Sequence, residues 1–159
     1  MDAITIRPAQ AGETSLAASL QMKLYERRYG FKAIFEHYLL ASMAEFLAPG
    51  AVGRLWVALD GDRVIGSVAI VQTDSGAAQL RWFFVDERYQ GHGVGQRLMD
   101  AAMRYCAERG YGRVFLWTLE ILDAARHLYE RYGFSPTGQK PNTEWTGELL
   151  MEEKWEVEL

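Results

Sequence analysis

The stretch Val85–Ala101, VDERYQGHGVGQRLMDA, decides how the rest of the chain is read. It follows an apolar run, AAQLRWFF, places Gly91, Gly93 and Gly95 within five residues, and then enters a periodic apolar segment. Glycine loses more conformational freedom on folding than any other residue, so three together need a physical reason. A strand that passes into a helix supplies one. The first N–H groups of a helix lack internal partners and carry the positive end of its dipole. Glycines at that point admit left-handed backbone and remove the Cβ atoms that would hold an anion away, which suits a phosphate group. A tight strand-to-helix connection alone would use the same glycines, so the stretch by itself leaves both readings open. Arg88 and Arg97 flank it and would add charge at its rim.

Upstream, two strand-like runs surround Asp60-Gly61-Asp62, a strong hairpin signal. Ile4 and Ile6 alternate with polar residues before Pro8 and mark a short first strand. Between them lie two helical patterns. One runs from Ala9 to about Arg28, with Leu16, Leu20 and Leu24 at four-residue spacing; the other restarts after Gly30 and is stopped by Pro49 and Gly50. Downstream, Val94, Leu98, Ala101, Ala102 and Tyr105 keep helical spacing up to Gly110. RVFLWT then reads as a buried strand and LDAARHLYERYGF as a short amphipathic helix ending at Gly133. A polar turn region from Thr137 to Gly147, with only a weakly marked strand, precedes a last strand in ELLMEEKWEVEL. With no repeat, low-complexity segment or long linker, residues 1–159 are expected to form one α/β domain with helices packed on a sheet.

Composition narrows the function classes. The chain is 49% hydrophobic and 24% charged, with a formal net charge of −4, as in ordinary globular proteins. A sequence pI near 5.4 and scattered cations argue against a nucleic-acid surface. The one dense cluster, Lys23, Arg27 and Arg28, reads as a solvated helix face. The single cysteine, Cys106, falls on the apolar side of a predicted helix and reads as a small buried hydrophobe; it excludes an internal disulfide and a multi-cysteine zinc site, and no metal is expected. The N-terminal MDAITIRPAQ lacks a basic segment followed by an apolar run, and no stretch approaches the ~18 apolar residues of a membrane span. A cytoplasmic location without membrane partners is the expectation. No Gly-Lys-Ser or Gly-Lys-Thr stands in Walker spacing, and the glycines lie too late in the chain for a dinucleotide fingerprint after a first strand.

Two motifs together carry a family resemblance. Gln90-Gly91-His92-Gly93-Val94-Gly95 fits the Gln/Arg-x-x-Gly-x-Gly/Ala pattern of the GNAT superfamily of N-acetyltransferases, and QRLMDAAMRYCAERGYGRVFLWT resembles its central helix and fifth strand. About 30 residues later AARHLYERYGF resembles its second signature. More narrowly, LWTLEILDAARHLYERYGF and NTEWTGELLMEEKWEVEL are similar to the acetyltransferase half of bacterial MarR–GNAT fusion proteins. The resemblance implies a mixed, largely antiparallel sheet of six to seven strands with four helices, splayed between the fourth and fifth strands. It implies acetyl-CoA as acyl donor, with the pyrophosphate on the N–H groups of Gln90, Gly91, His92, Gly93, Val94 and Gly95. Phe83, Phe84 and Val85 would offer backbone to the pantetheine arm, and Tyr129 would protonate the departing thiolate. Where the family often has Asn, this chain has Leu122, which cannot hydrogen-bond the pantetheine through its side chain.

An amine must lose its proton before it can attack, so a base is required. Glu120 is the first candidate, because it follows the fifth strand; an exposed residue complementing the next helix's dipole is its alternative role. Glu36 and Glu144 are further candidates, whereas His37 and His127 read as surface residues. Without a cysteine–histidine pair, direct transfer in a ternary complex is expected. Tyr29, Phe31, Phe35, Glu36, Glu144 and Trp145 stand where this fold walls its acceptor site, suggesting a small primary amine with an apolar body. A protein or peptide amine, or a non-catalytic acyl-CoA-binding role, is the alternative. The apolar terminal strand WEVEL would also suit a homodimer.

Overall fold

The chain, described for residues 3–159 by a computed structural model, starts with strand β1 (Ile4–Pro8), followed by helices α1 (Glu13–Tyr29) and α2 (Ile34–Leu47). The expected helix at Ala9 begins four residues later, because the Ala9 N–H is committed to the Leu55 carbonyl at 2.8 Å and prolongs strand pairing. Strands β2 (Gly53–Asp60) and β3 (Arg63–Gln72) form the hairpin about Gly61-Asp62, and β4 (Ala78–Val85) pairs antiparallel with β3. A 3₁₀ turn (Glu87–Tyr89) leads through the glycines to α3 (Val94–Arg109), then β5 (Arg113–Leu119) and α4 (Asp123–Arg131). Strands β6 (Ser135–Asn142) and β7 (Leu150–Glu158) complete a seven-stranded sheet in the order β1-β2-β3-β4-β5-β7-β6. Every pairing is antiparallel except β4 with β5. This is the expected architecture, with four helices and seven strands.

Strand β6 is better formed than its composition suggests. SPTGQKPN carries two prolines and a glycine and is exposed over most of its length. It sits at the sheet edge beside β7, where a residue without an N–H is tolerated on the unpaired side, and its register shifts between Pro136 and Gly138.

Alternation along β2 shows how the two faces are filled. Trp56 and Ala58 point into a core with Leu98, Met99 and Ala102 of α3, while Leu55, Val57 and Leu59 pack under Ala18 and Met22 of α1 and Phe35 of α2. Cys106 is fully buried on the α3 side, and burial pushes its thiol up to about 12. The sequence reading of Cys106 as a small buried hydrophobe holds.

Two irregularities in β4 create the site. The parallel ladder with β5 comprises only Ala78 opposite Val114 and Gln79 opposite Phe115; beyond it the strands part. On the other edge the register with β3 jumps, so that Trp82 and Phe83 stand against Val68 alone. Trp82 takes φ +50°, rare for a bulky side chain. The bulge reverses the alternation: Leu80 belongs to the α3-side core, whereas Trp82 belongs to the α1/α2-side core. Ser67 holds this conformation, its fully buried hydroxyl donating to the Trp82 carbonyl at 2.7 Å. Ser67→Ala is expected to cost about 1–3 kcal/mol in urea unfolding, the usual penalty for unpairing a buried polar group. A variant as stable as the parent would remove Ser67 from this role.

Candidate active site

The three glycines have two different duties. Gly91 and Gly93 have φ +80° and open space where a Cβ would stand, so what they supply is left-handed backbone ahead of α3. Gly95 lies within the helix, where a Cβ would come to 3.2 Å from Cζ of Phe83 and 3.4 Å from Cδ2 of Leu128. Its duty is close approach: it lets the first turn of α3 rest against Phe83.

The turn before them is braced from several sides. Asp86 accepts from the Arg88 backbone N–H at 2.9 Å and caps the 3₁₀ turn. Gln90 donates through Nε2 to the Val85 carbonyl at 2.9 Å and accepts at Oε1 from Arg28 at 3.2 Å. Arg27 pairs with Glu87 at 2.7 Å. The basic cluster read as a solvated face therefore ties the end of α1 to the glycine-rich turn, a link between residues some 60 positions apart.

A groove of about 530 Å³ runs along this turn, lined by Gln90, Gly91, Gly93, Val94 and Gly95 and, opposite them, by residues 121–125. The charges at its edge differ from those expected. Arg88 is held by Asp86 at 3.1 Å, and Arg97 donates to the Ile4 carbonyl, so neither lines the groove. Arg28 and Arg131 line it instead, together with His127. Tyr29 also falls here rather than in the acceptor wall, and the His92 side chain is exposed and outside the lining.

A second cavity, about 430 Å³, opens between α2, the parted edges of β4 and β5, and β7. Tyr25, Phe83, Leu122 and Ala125 line both spaces, so the two meet at the gap in the sheet. Tyr129 lines the second cavity at this junction, 4% exposed, with its ring tilted against Phe83 at 6.0 Å and Trp155 at 6.4 Å. Burial, and secondarily the neighbouring Tyr25 hydroxyl, push the Tyr129 phenol far above its ordinary value. No hydrogen bond within the described residues engages that hydroxyl.

Of the expected acceptor residues, Phe35 and Trp145 line this cavity, their rings meeting edge to face at 5.0 Å. Phe31 is 2% exposed, packed beneath them in the core. Glu36 is exposed on the outer side of α2 and lines neither space. Glu144 also stays outside, accepting from the Tyr38 hydroxyl at 3.0 Å. Glu120 is exposed, with its carboxylate on the Met151 N–H at 3.2 Å, and lines neither space. The carboxylates that do line the cavity are Glu45, at the exposed side of α2, and Glu152, 8% exposed and accepting from Asn142 at 3.2 Å.

The sequence model described as the Acetyltransferase (GNAT) family matches residues 19–134, spanning both motifs and all of the groove's main elements. The chain belongs to this family. Among curated acetyltransferases it is 34% identical to N-acetyltransferase 8F1 of Rattus norvegicus over 95 residues, 57% of this chain and 43% of the relative. It is 36% identical to spermine/spermidine N(1)-acetyltransferase of Bacillus subtilis over 78 residues, 48% and 49% of the two chains. The matched part thus spans about half the length, or less, of these GNAT relatives. A solved GNAT family acetyltransferase from Elizabethkingia anophelis, with acetyl-CoA bound, superposes with a TM-score of 0.68 over 100% of both chains at 22% identity. Among the described residues of this GNAT family member, no helix is long and apolar enough to cross a membrane.

Proposed function

We propose that this chain transfers an acetyl group from acetyl-CoA to the primary amine of a small molecule, directly, within a ternary complex. One observation carries the reading: a glycine-lined groove and an aromatic cavity meet at the sheet gap, where the Tyr129 hydroxyl has no partner of its own. The groove fits the donor. Left-handed Gly91 and Gly93 turn main-chain N–H groups toward the pyrophosphate, and Arg28 and Arg131 add positive charge. The β4 backbone from Phe83 to Val85 faces the thioester, with the Val85 carbonyl already taken by Gln90. Main-chain N–H groups there would hold the carbonyl oxygen as it gains charge. Leu122 contributes apolar surface to both spaces in place of an amide side chain.

Bound acetyl-CoA supplies an acetyl group activated as a thioester. The carbon–sulfur bond breaks as the carbon–nitrogen bond forms. Tyr129 gives its proton to the leaving sulfur, and Glu152, in place of the expected Glu120, receives the proton that the ammonium must shed before attack. The narrower likeness to the acetyltransferase half of MarR–GNAT fusion proteins is proposed as a subfamily placement.

The test is thiol release from acetyl-CoA across a panel of small primary amines, with a lysine-containing peptide alongside. Buried Cys106 gives no native background in such an assay. Turnover of the small amines supports the reading; fast turnover of the peptide with none of the small amines overturns it. The groove is tested separately. Gly93→Val forces a β-branched residue into left-handed backbone, at about 1–2 kcal/mol, and twists the N–H groups away. Calorimetric titration should show acetyl-CoA binding weakened at least about tenfold, whereas unchanged affinity would remove the cradle.

A further inference from the structure

The acceptor cavity holds more charge than an apolar amine would use. Arg81, on β4 just ahead of the bulge, lines it while partly buried. Its guanidinium lies 4.9 Å from the Trp82 ring centroid, and among the described residues it makes no ion pair and no side-chain hydrogen bond. Burial pulls its proton affinity down, and Glu45 at the exposed side only partly offsets this. Its planar fork of five donors has no protein acceptor among the described residues, is reached by solvent in the cavity, and matches a carboxylate in shape.

A second, independent group lines the same space. Gln21 of α1 is 5% exposed and lines the cavity, and its Oε1 is buried with no hydrogen-bond partner. Buried amide oxygens in native proteins almost always have a donor, and a turn of the Gln21 amide toward the cavity would give this one an N–H from a bound acceptor. Glu152, also buried, holds only Asn142 and has lone pairs to spare. The walls thus present two cations, Arg81 and, over the Trp117 ring, Lys140, together with an unpaired acceptor and the carboxylates Glu45 and Glu152, around Phe35, Leu39 and Trp145.

We propose that the acceptor is a free amino acid with a large apolar side chain, its carboxylate read by Arg81 and its nitrogen faced by Gln21 and Glu152. This deepens the acetyl-transfer reading and rests on it. A simple amine of the same shape would leave Arg81 unpaired in the filled cavity. A site built to pair a polar group rejects the analogue that lacks it far more strongly than an apolar pocket rejects a missing methylene. A polyamine would set a second cation against Arg81.

The experiment compares phenylalanine, phenethylamine and spermidine as acceptors in the parent protein and in Arg81→Met, which keeps the apolar stem against Trp82. Binding of N-acetylphenylalanine and N-acetylphenethylamine, without donor, is measured in parallel by calorimetry. The parent should favour phenylalanine over phenethylamine by at least about 100-fold in kcat/KM and bind the acetylated amino acid selectively. Arg81→Met should bring both ratios close to 1, chiefly through a raised KM for phenylalanine, and Arg81→Lys should recover only part of the preference. Preference for phenethylamine or spermidine, or a ratio unmoved by Arg81→Met in a variant of parental melting temperature, overturns the proposal while acetyl transfer stands. Selective, Arg81-dependent binding of the acetylated amino acid, with no turnover of any acceptor, overturns the acetyl-transfer reading and keeps the amino-acid site. Absence of both overturns the two together.

Discussion

Tyr129→Phe should lower kcat by about 10²–10³-fold, within the range that a positioned acid contributes, while acetyl-CoA binds within about twofold of the parent. The two effects separate because the ring and the hydroxyl have different duties. The ring packs against Phe83, Phe134 and Trp155, and phenylalanine keeps all three contacts. The hydroxyl bonds to nothing within the described residues, so its loss leaves no buried partner stranded and stability should hardly change. Its chemistry is the part removed. Burial lifts the phenol well above its ordinary value, so it stays protonated throughout the neutral and mildly alkaline range. The parent's pH–rate profile should therefore show no falling limb near pH 10 from this group, since the raised pKa moves that limb to still higher pH. A rate in Tyr129→Phe within threefold of the parent would remove Tyr129 as the acid and leave the proton to solvent.

Glu152→Gln should cost a comparable factor, about 10²-fold in kcat/KM near neutral pH, for the opposite proton. Glutamine fills the same volume, and its amide oxygen can still accept from Asn142, so the cavity wall is preserved. What it cannot do is take a proton from the acceptor ammonium. The deficit should therefore shrink as pH rises toward the acceptor's own pKa, where the amine arrives already neutral. A parallel drop at every pH would assign Glu152 a positioning role instead. Glu120→Gln, by contrast, should leave the pH profile unshifted, because its carboxylate is turned to the Met151 N–H outside both cavities.

Local chemistry and motif spacing made much of this molecule readable before its structure. The Gly61-Asp62 hairpin, the stop of α3 at Gly110 and the burial of Cys106 are each decided within a few residues, where periodicity and turn preference act. The motif singled out Tyr129, proposed above as the acid. Glu152 was hidden in a strand written Met-Glu-Glu-Lys, where which carboxylate turns inward depends on register with β5, set from more than 30 residues away. Arg81 was hidden for a related reason: the Trp82 bulge reverses the alternation that would have placed its neighbours. Arg28 lay in plain view as part of a basic cluster, but its role follows from docking α1 against the glycine-rich turn, which no local pattern encodes. Glu36 and Glu144 had the right chemistry in the right segments, and the helix face and the Tyr38 contact turn them outward.

The short ladder between β4 and β5 has a consequence for how this site can evolve. Past Gln79 the β4 edge that would have met β5 presents main chain to the groove. Substitution changes side chains and leaves peptide N–H groups in place, proline excepted. The groups proposed to steady the reacting carbonyl are therefore almost invisible to point mutation, while Arg81, Gln21 and Trp145 on the acceptor walls are fully exposed to it. Such a scaffold can exchange one acceptor for another by drift in the walls without first losing the capacity to transfer an acyl group.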